Sequence, residues 1–301
     1  MSSELPEGNG IAAKYPGDKG VERDPAVVFA DGFETTEAGP LPDGYRKQDE
    51  KKWDNSWGGL ITKQAENVHS GKKALEMTLV RPGPRPAGAG VQKHFKEGFE
   101  TLFLRYYAKF DKNAELYHGG AHNGGNIDAR APGVPLGCPG VRADGSNKFT
   151  AVLDTYRSEE QIPSPGHLVV YCYHMDQGGR WGDQFYPSGR VLPLGGGREP
   201  FGEQFVPRSD FIPEQGLWHC YELMVHANTP GKRDGRIAFW VDGTVRGDFP
   251  NLRLRNVETL KANHIDLGIY THNPRVQRNV TMWFDDVVAA TSYVGPRVTA
   301  K

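Results

Sequence analysis

Apolar residues recur at every second position through much of the chain, most clearly between positions 218 and 243, WHCYELMVHANTPGKRDGRIAFWVDG. In the first half of that stretch Tyr221, Leu223 and Val225 share one side of an extended chain, and in the second Ile237, Phe239 and Val241 alternate with Arg236, Ala238 and Trp240. Between the two runs, Asn228, Thr229, Pro230 and Gly231 with Asp234 and Gly235 supply the fixed-φ and positive-φ positions of a reversal, and Asp242-Gly243 begins the next one. The pattern predicts antiparallel strands that each bury one face.

The same alternation predicts strands at 26–30, 73–80, 90–95, 101–110, 148–156, 167–174, 264–271 and 281–290, with the first and last placed to pair and close the fold. Many short strands and little helical periodicity imply an all-β protein, a two-sheet antiparallel sandwich forming a single domain over 25–296. Residues 1–24 are polar and rich in glycine and proline, so they read as an N-terminal arm with little chemistry, and 297–301 as a tail. Three long connections, 81–90, 116–145 and 176–213, are dense in glycine and proline. Loops of that length in a compact domain are usually functional or disordered.

Composition agrees: 38 glycines, 22 prolines and 11% aromatics in 301 residues suit short strands with tight turns. The formal net charge of −1, with acids and bases intermixed, argues against nucleic acid and anionic membranes as partners, so a polyanionic ligand would need a local basic groove. No apolar run is long enough to span a bilayer, and the start, MSSE, lacks the features of a secretory signal. A secreted or periplasmic protein whose signal peptide is absent from this sequence is the expectation. Cys138, Cys172 and Cys220 make no disulfide framework, and Cys172 and Cys220 fall within predicted strands as buried free thiols.

Candidate chemistry lies on two strands and one loop. The 167–174 segment, HLVVYCYH, puts Tyr171 and Tyr173 on one face with Val169. In 103–110, Arg105, Tyr107 and Lys109 share a face that is predicted to be basic and wet. The loop that follows sets His118, His122 and Asn123 among glycines, where backbone approaches a ligand closely and an imidazole serves as a base near neutral pH. The same residues also read as sheet aromatics and ordinary loop histidines, and a zinc site lacks a third ligand.

Arg105-Tyr106-Tyr107 with Lys109-Phe110, a Gly-Gly loop, Lys148-Phe149-Thr150-Ala151, Tyr171-x-Tyr173, Trp218-His219, the 228–231 turn, Asp234-Gly235, Trp240-Val241-Asp242-Gly243 and Phe284-Asp285-Asp286 follow one another in the chain. Taken together, over roughly residues 100–294, they resemble the polysaccharide lyases of the alginate-lyase type called family 14, and more loosely other lyases with a concanavalin A-like jelly roll. The resemblance implies a concave sheet that binds an acidic polysaccharide or oligosaccharide and cleaves it by β-elimination, with a donor at the uronate carboxylate, a base at C5 and an acid at O4. It carries the tyrosine pair onto Tyr171 and Tyr173. Two positions depart from the family: His118 stands where a lysine leads the Gly-Gly loop, and Thr150-Ala151-Val152 where the family has Ser-Ala-Arg.

The roles that follow are His118 or Tyr173 as base, Tyr171 or Tyr173 as acid, and Arg105 with Asn123 against the carboxylate. Lys109, His122, Arg157 and Trp181 are further substrate-binding candidates, Arg157 as a substitute for the missing arginine and Trp181 as a platform for a sugar ring. Asp31, Glu34 and Asp285 are candidate ligands of a structural Ca²⁺, or else turn residues and solvated acids; no cofactor is expected for catalysis. A glycan-binding protein without catalysis, favoured by the lost arginine, and a hydrolase on the same fold stand as alternatives. For a glycosidase no strand shows closely spaced acids on one face.

Overall fold

The structure, a computed structural model, describes residues 4–45, 49, 51–81, 87–117, 121–135, 138–192 and 201–299. It is a sandwich of two antiparallel sheets. The covered sheet runs in the order β16 (Thr244–Leu252), β15 (Gly235–Val241), β14 (His219–His226), β8 (Thr101–Phe110), β18 (Val280–Ala290), β6 (Ala74–Leu79), β5 (Gly59–Thr62) and β2 (Gly39–Pro40), and β1 (Val27–Asp31) also pairs with β18. The open sheet runs β13 (Val191–Leu192), β12 (Asp183–Phe185), β11 (His167–Tyr173), β10 (Lys148–Tyr156), β9 (Ala121–Arg130), β17 (Ala262–Thr271), β7 (Ala87–Phe99), β4 (Asn55–Trp57) and β3 (Gly44–Tyr45). The first and last long strands do pair, antiparallel, with Phe29 opposite Ala289.

Alternation places the core between the sheets. From the covered sheet come Leu104, Tyr106, Leu223, Phe239 and Phe284; from the open sheet, Ile127, Phe149, Ala151, Leu153, Val170, Cys172 and Leu267. The 218–243 stretch forms the β14–β15 pair, with Tyr221 opposite Val241 and Leu223 opposite Phe239. Asp242 and Gly243, at φ 51° and 79°, turn the chain into β16. All three cysteines are free and buried.

Strand β9 corrects the sequence reading, which treated 116–145 as one long connection. Its run AHNGGNIDAR scores poorly as a strand because of two glycines, yet their reason is packing. Tyr106 reaches across the core from β8, its ring filling the place of a side chain at Gly125: a Cβ there would sit 2.3 Å from the ring. The Gly125 N–H donates to the Tyr106 hydroxyl at 2.9 Å, and Gly124 takes φ +96°.

The outer face of the covered sheet is not wet. The arm, with three short 3₁₀ turns at Ile11–Lys14, Pro16–Asp18 and Val21–Arg23, lies on it and buries Ile11, Ala12 and Val21 against Val288, Ala290 and Val294. Trp240 donates its indole N–H to the Pro6 carbonyl at 2.7 Å. Arg105 is therefore fully buried: its guanidinium donates to Asp18 at 2.5 Å and to the Asp286 carbonyl at 2.8 Å. Its neighbour Glu222, opposite it across β14, accepts the Val294 and Gly295 N–H groups at 2.7 and 2.8 Å, and burial pushes its carboxyl up to about 7. Lys109 is held by the Glu66 carbonyl and by Asn67 Oδ1 at 2.8 Å, beneath Trp283.

Candidate functional site

The outer face of the open sheet gathers most of the candidate side chains. On β10, Phe149, Ala151 and Leu153 point into the core, so Lys148, Thr150, Val152 and Asp154 point out. Register then lines up Tyr171 with Val152 and Asn126, and Tyr173 with Thr150 and Asp128. On β17, Asp266 stands opposite Asn126 and Tyr270 opposite His122.

His122, Asp154 and Tyr171 converge. The His122 Nδ1 lies 2.8 Å from Asp154 Oδ2, and the Asn123 N–H donates to Asp154 Oδ1 at 3.1 Å. A carboxylate accepting on both oxygens fixes the tautomer with the proton on Nδ1 and leaves Nε2 with its lone pair. Asp154 is fully buried, which raises its pKa, while the hydrogen bond and charge of His122 oppose that rise. The imidazole is 37% exposed, its ring 4.8 Å from that of Tyr171 and stacked with Tyr270 at 6.3 Å. It is the open member of a closed cluster.

The tyrosine pair is joined. The Tyr171 hydroxyl donates to that of Tyr173 at 3.2 Å and accepts the Gly182 N–H at 3.0 Å; the Tyr173 oxygen also accepts the Gly140 N–H at 3.3 Å. Burial and the neighbouring phenol raise the pKa of Tyr171 far above its ordinary value, so it is an acid at neutral pH and not a phenolate base. Tyr173 is only 4% exposed, and the Lys148 ammonium lies 3.7 Å over its ring while donating to the Cys138 carbonyl. Burial lowers the pKa of that lysine.

Placement of the other sequence-derived candidates separates them. His118 lies outside the described residues. Arg105 and Lys109 belong to the other sheet and do not meet Tyr171 or Tyr173, because a cover of arm and loop segments hides the face they share. Asn123 is buried at the edge of the site, donating to Thr155 Oγ1 at 2.9 Å. Arg157 donates to the Ile162 and Glu160 carbonyls and lies over Tyr117, beside a cleft it lines with Ser158 and Arg275. Trp181 is half exposed, with Arg180 over its ring, next to the Gly182 that holds Tyr171.

The calcium candidates do not fit a cation. Asp31 accepts the Phe33 N–H and the Trp53 indole N–H, Glu34 accepts the Lys72 and Lys73 N–H groups, and Asp285 accepts those of His69 and Ser70. These carboxylates are turned toward donors. No group of three acidic, histidine or cysteine side chains with metal-binding geometry occurs among the described residues.

Sequence reasoning missed Asp154, and with it Asn126 and Asp128 of β9 and Asp266 of β17. Asn126 Nδ2 donates to Asp128 Oδ2 at 3.2 Å and to Asp266 Oδ2 at 2.9 Å, so two acids meet on one face from different strands, which no single-strand pattern discloses. Both carboxyls are raised by burial. The β10 alternation did carry a signal for Asp154, an acid outward of Leu153.

No family model matches the chain, and no curated protein matches it. Solved structures do. An alginate lyase, Aly36B, is 18% identical, covering 91% of this chain and 98% of its own with a TM-score of 0.57. A variant of it has been solved with alginate tetrasaccharide. The marine PL-14 alginate lyase from Aplysia kurodai is 16% identical over 78% of this chain and 89% of its own, TM-score 0.55. The endo-beta-1,4-glucuronan lyase of the fungus Trichoderma reesei is 16% identical over 85% and 95%, TM-score 0.50. The fold is shared with jelly-roll polysaccharide lyases. At such identities the likeness is one of fold.

Proposed function

We infer that the protein is a polysaccharide lyase-like enzyme that cleaves a uronic-acid-containing glycan by β-elimination in the groove of the open sheet. The observation that carries this reading is the His122, Asp154 and Tyr171 cluster. Elimination needs a base for the C5 proton and an acid for the departing O4. Asp154 orients His122 so that Nε2 takes the proton, and stabilises the imidazolium that forms. Tyr171, kept protonated by burial, turns its O–H from Tyr173 to O4 and gives up the proton; the phenolate left behind keeps the Gly182 N–H, and it and the His122 imidazolium return to their starting states by proton exchange with solvent once the product has left. The lyase structures that share the fold, one of them solved with an alginate tetrasaccharide, support an acidic polysaccharide as substrate.

The test is ultraviolet absorbance of the unsaturated product across a panel of polyuronates. Wild-type protein should generate it with at least one polymer, and His122→Ala should slow it by about a hundredfold or more; folded wild-type protein that yields no absorbance with any polymer ends the lyase reading. The Asp128 and Asp266 pair favours a second reading, hydrolysis, which requires two carboxyls at the scissile bond. New reducing ends without absorbance, lost in Asp266→Asn, would establish it.

A further inference from the structure

Strand β9 ends in a guanidinium whose charge acts on Asp128 and Asp266 but which hydrogen-bonds to neither. Arg130 follows Asp128 on the groove side of the open sheet and stands opposite Lys148 on β10. Its backbone is tied to Asn263 at 3.0 and 2.9 Å, but its side chain has no hydrogen-bond or ion-pair partner among the described residues, and Nε and Nη2 are buried without an acceptor. Arg105, Lys109, Arg157 and Lys148 each donate to a partner, Asp18, Asn67, loop carbonyls and the Cys138 carbonyl, although Arg105 Nε is also without an acceptor. Leaving a guanidinium unpaired in a partly closed site is costly, so such a group persists where a ligand completes it.

The surroundings define that ligand. Asn126 Oδ1 and Asp128 Oδ1, beside Arg130 along the strand, are likewise buried without donors. Across β17 and β7 lie His264 and His94, ring centroids 4.4 Å apart. Burial, with the charge of Arg130 assisting, lowers the pKa of both, so they face the groove as neutral hydrogen-bonding rings. An unpaired guanidinium beside unpaired acceptors and neutral imidazoles matches a sugar acid, which offers one carboxylate and several hydroxyls.

We propose that Arg130 binds the carboxylate of a uronate residue further along the glycan than the one undergoing cleavage, with Asn126, Asp128, His94 and His264 taking its hydroxyls. The distance sets it apart from the reacting sugar. Arg130 lies four residues beyond Asn126, the position in line with Tyr171, which is about 14 Å along the strand. The subsite rests on the uronate-lyase reading and names the part of the groove that makes it selective for charged chains.

The experiment is affinity electrophoresis of wild type, Arg130→Gln and Arg130→Lys in a polyuronate and in the same polymer after carboxyl reduction, with lyase kinetics on long and shortest cleavable chains. Arg130→Gln should lose about tenfold or more in affinity for the polyuronate, the value of a charge-assisted pair. It should bind the reduced polymer like wild type and keep kcat, with KM rising on long chains and not on the shortest. Arg130→Lys should restore part of the affinity. Equal losses on both polymers, or none, overturn the subsite and leave the proposed function standing; wild-type protein that binds no polyuronate overturns both. An unchanged melting temperature in Arg130→Gln assigns the loss to binding, and a large drop assigns Arg130 to the fold and overturns the subsite.

Discussion

The two outer faces of the sandwich are built from similar residues and do different things. Strand β8 offers Arg105, Tyr107 and Lys109 at alternate positions, and strands β9 and β11 offer His122, Asn126, Asp128, Tyr171 and Tyr173 in the same manner. On the covered sheet, arm and loop segments close over the polar row and bring partners to its charges: Asp18 to Arg105, and His69 at 2.7 Å and Ser70 at 2.8 Å to Asp286. On the open sheet His122 keeps an exposed edge and Arg130 stays unpaired. What separates the two faces here is the covering and not the residue types.

That contrast can be broken from either side. His122→Ala should lower turnover by about a hundredfold or more with little change in melting temperature, as expected for a general base; a small loss in the absorbance assay would remove His122 from that role. Arg105→Ala should do the reverse. It strands Asp18 and costs about 3–5 kcal/mol in denaturant titrations, while the folded fraction retains its turnover. A Gly125→Ala variant probes the boundary between the faces: the new methyl group collides with Tyr106 and should cost about 1–3 kcal/mol, with lyase activity falling alongside because β9 carries His122.

Smaller effects sharpen the picture. Burial lifts the Glu222 carboxyl from 4.5 to about 7, so the folded state retains a proton that the unfolded chain releases. Stability from this group is complete below pH 4.5 and is lost as pH rises through about 7, on the order of 3 kcal/mol in all. Chemical denaturation at pH 5, 6 and 7 should show that decline in wild type and a flatter profile in Glu222→Gln. At the low end, Trp181→Ala should raise KM by about twofold to fivefold at constant kcat, as measured with a long polyuronate.

The fold was legible in the sequence wherever both faces of a strand obeyed alternation, as in β8, β10, β11, β14 and β15, whose bounds fall within a residue or so of the reading. Strand β9 was not, because its glycines answer to Tyr106, a residue of another sheet. The tyrosine pair could be found from its spacing. The partner of His122 could not, since Asp154 lies 32 positions away and meets it only through register. Arg105 was misplaced for a related reason. Alternation tells which residues share a face but is silent on what later settles over it, and here an arm that looked like a bare surface segment supplied Asp18.

Tyr106 has one further consequence. A sandwich whose halves meet through apolar side chains has a soft degree of freedom, the sliding of one sheet over the other. The phenol of Tyr106 is seated in the gap at Gly124 and Gly125 and bonded to the backbone there, three residues from His122, so it acts as a dowel that sets the phase between the layers. The spacing of His122 against Tyr171 is thus inherited in part from a residue that never sees the outer face, and a drift in core packing would be read out as a displaced His122 ring.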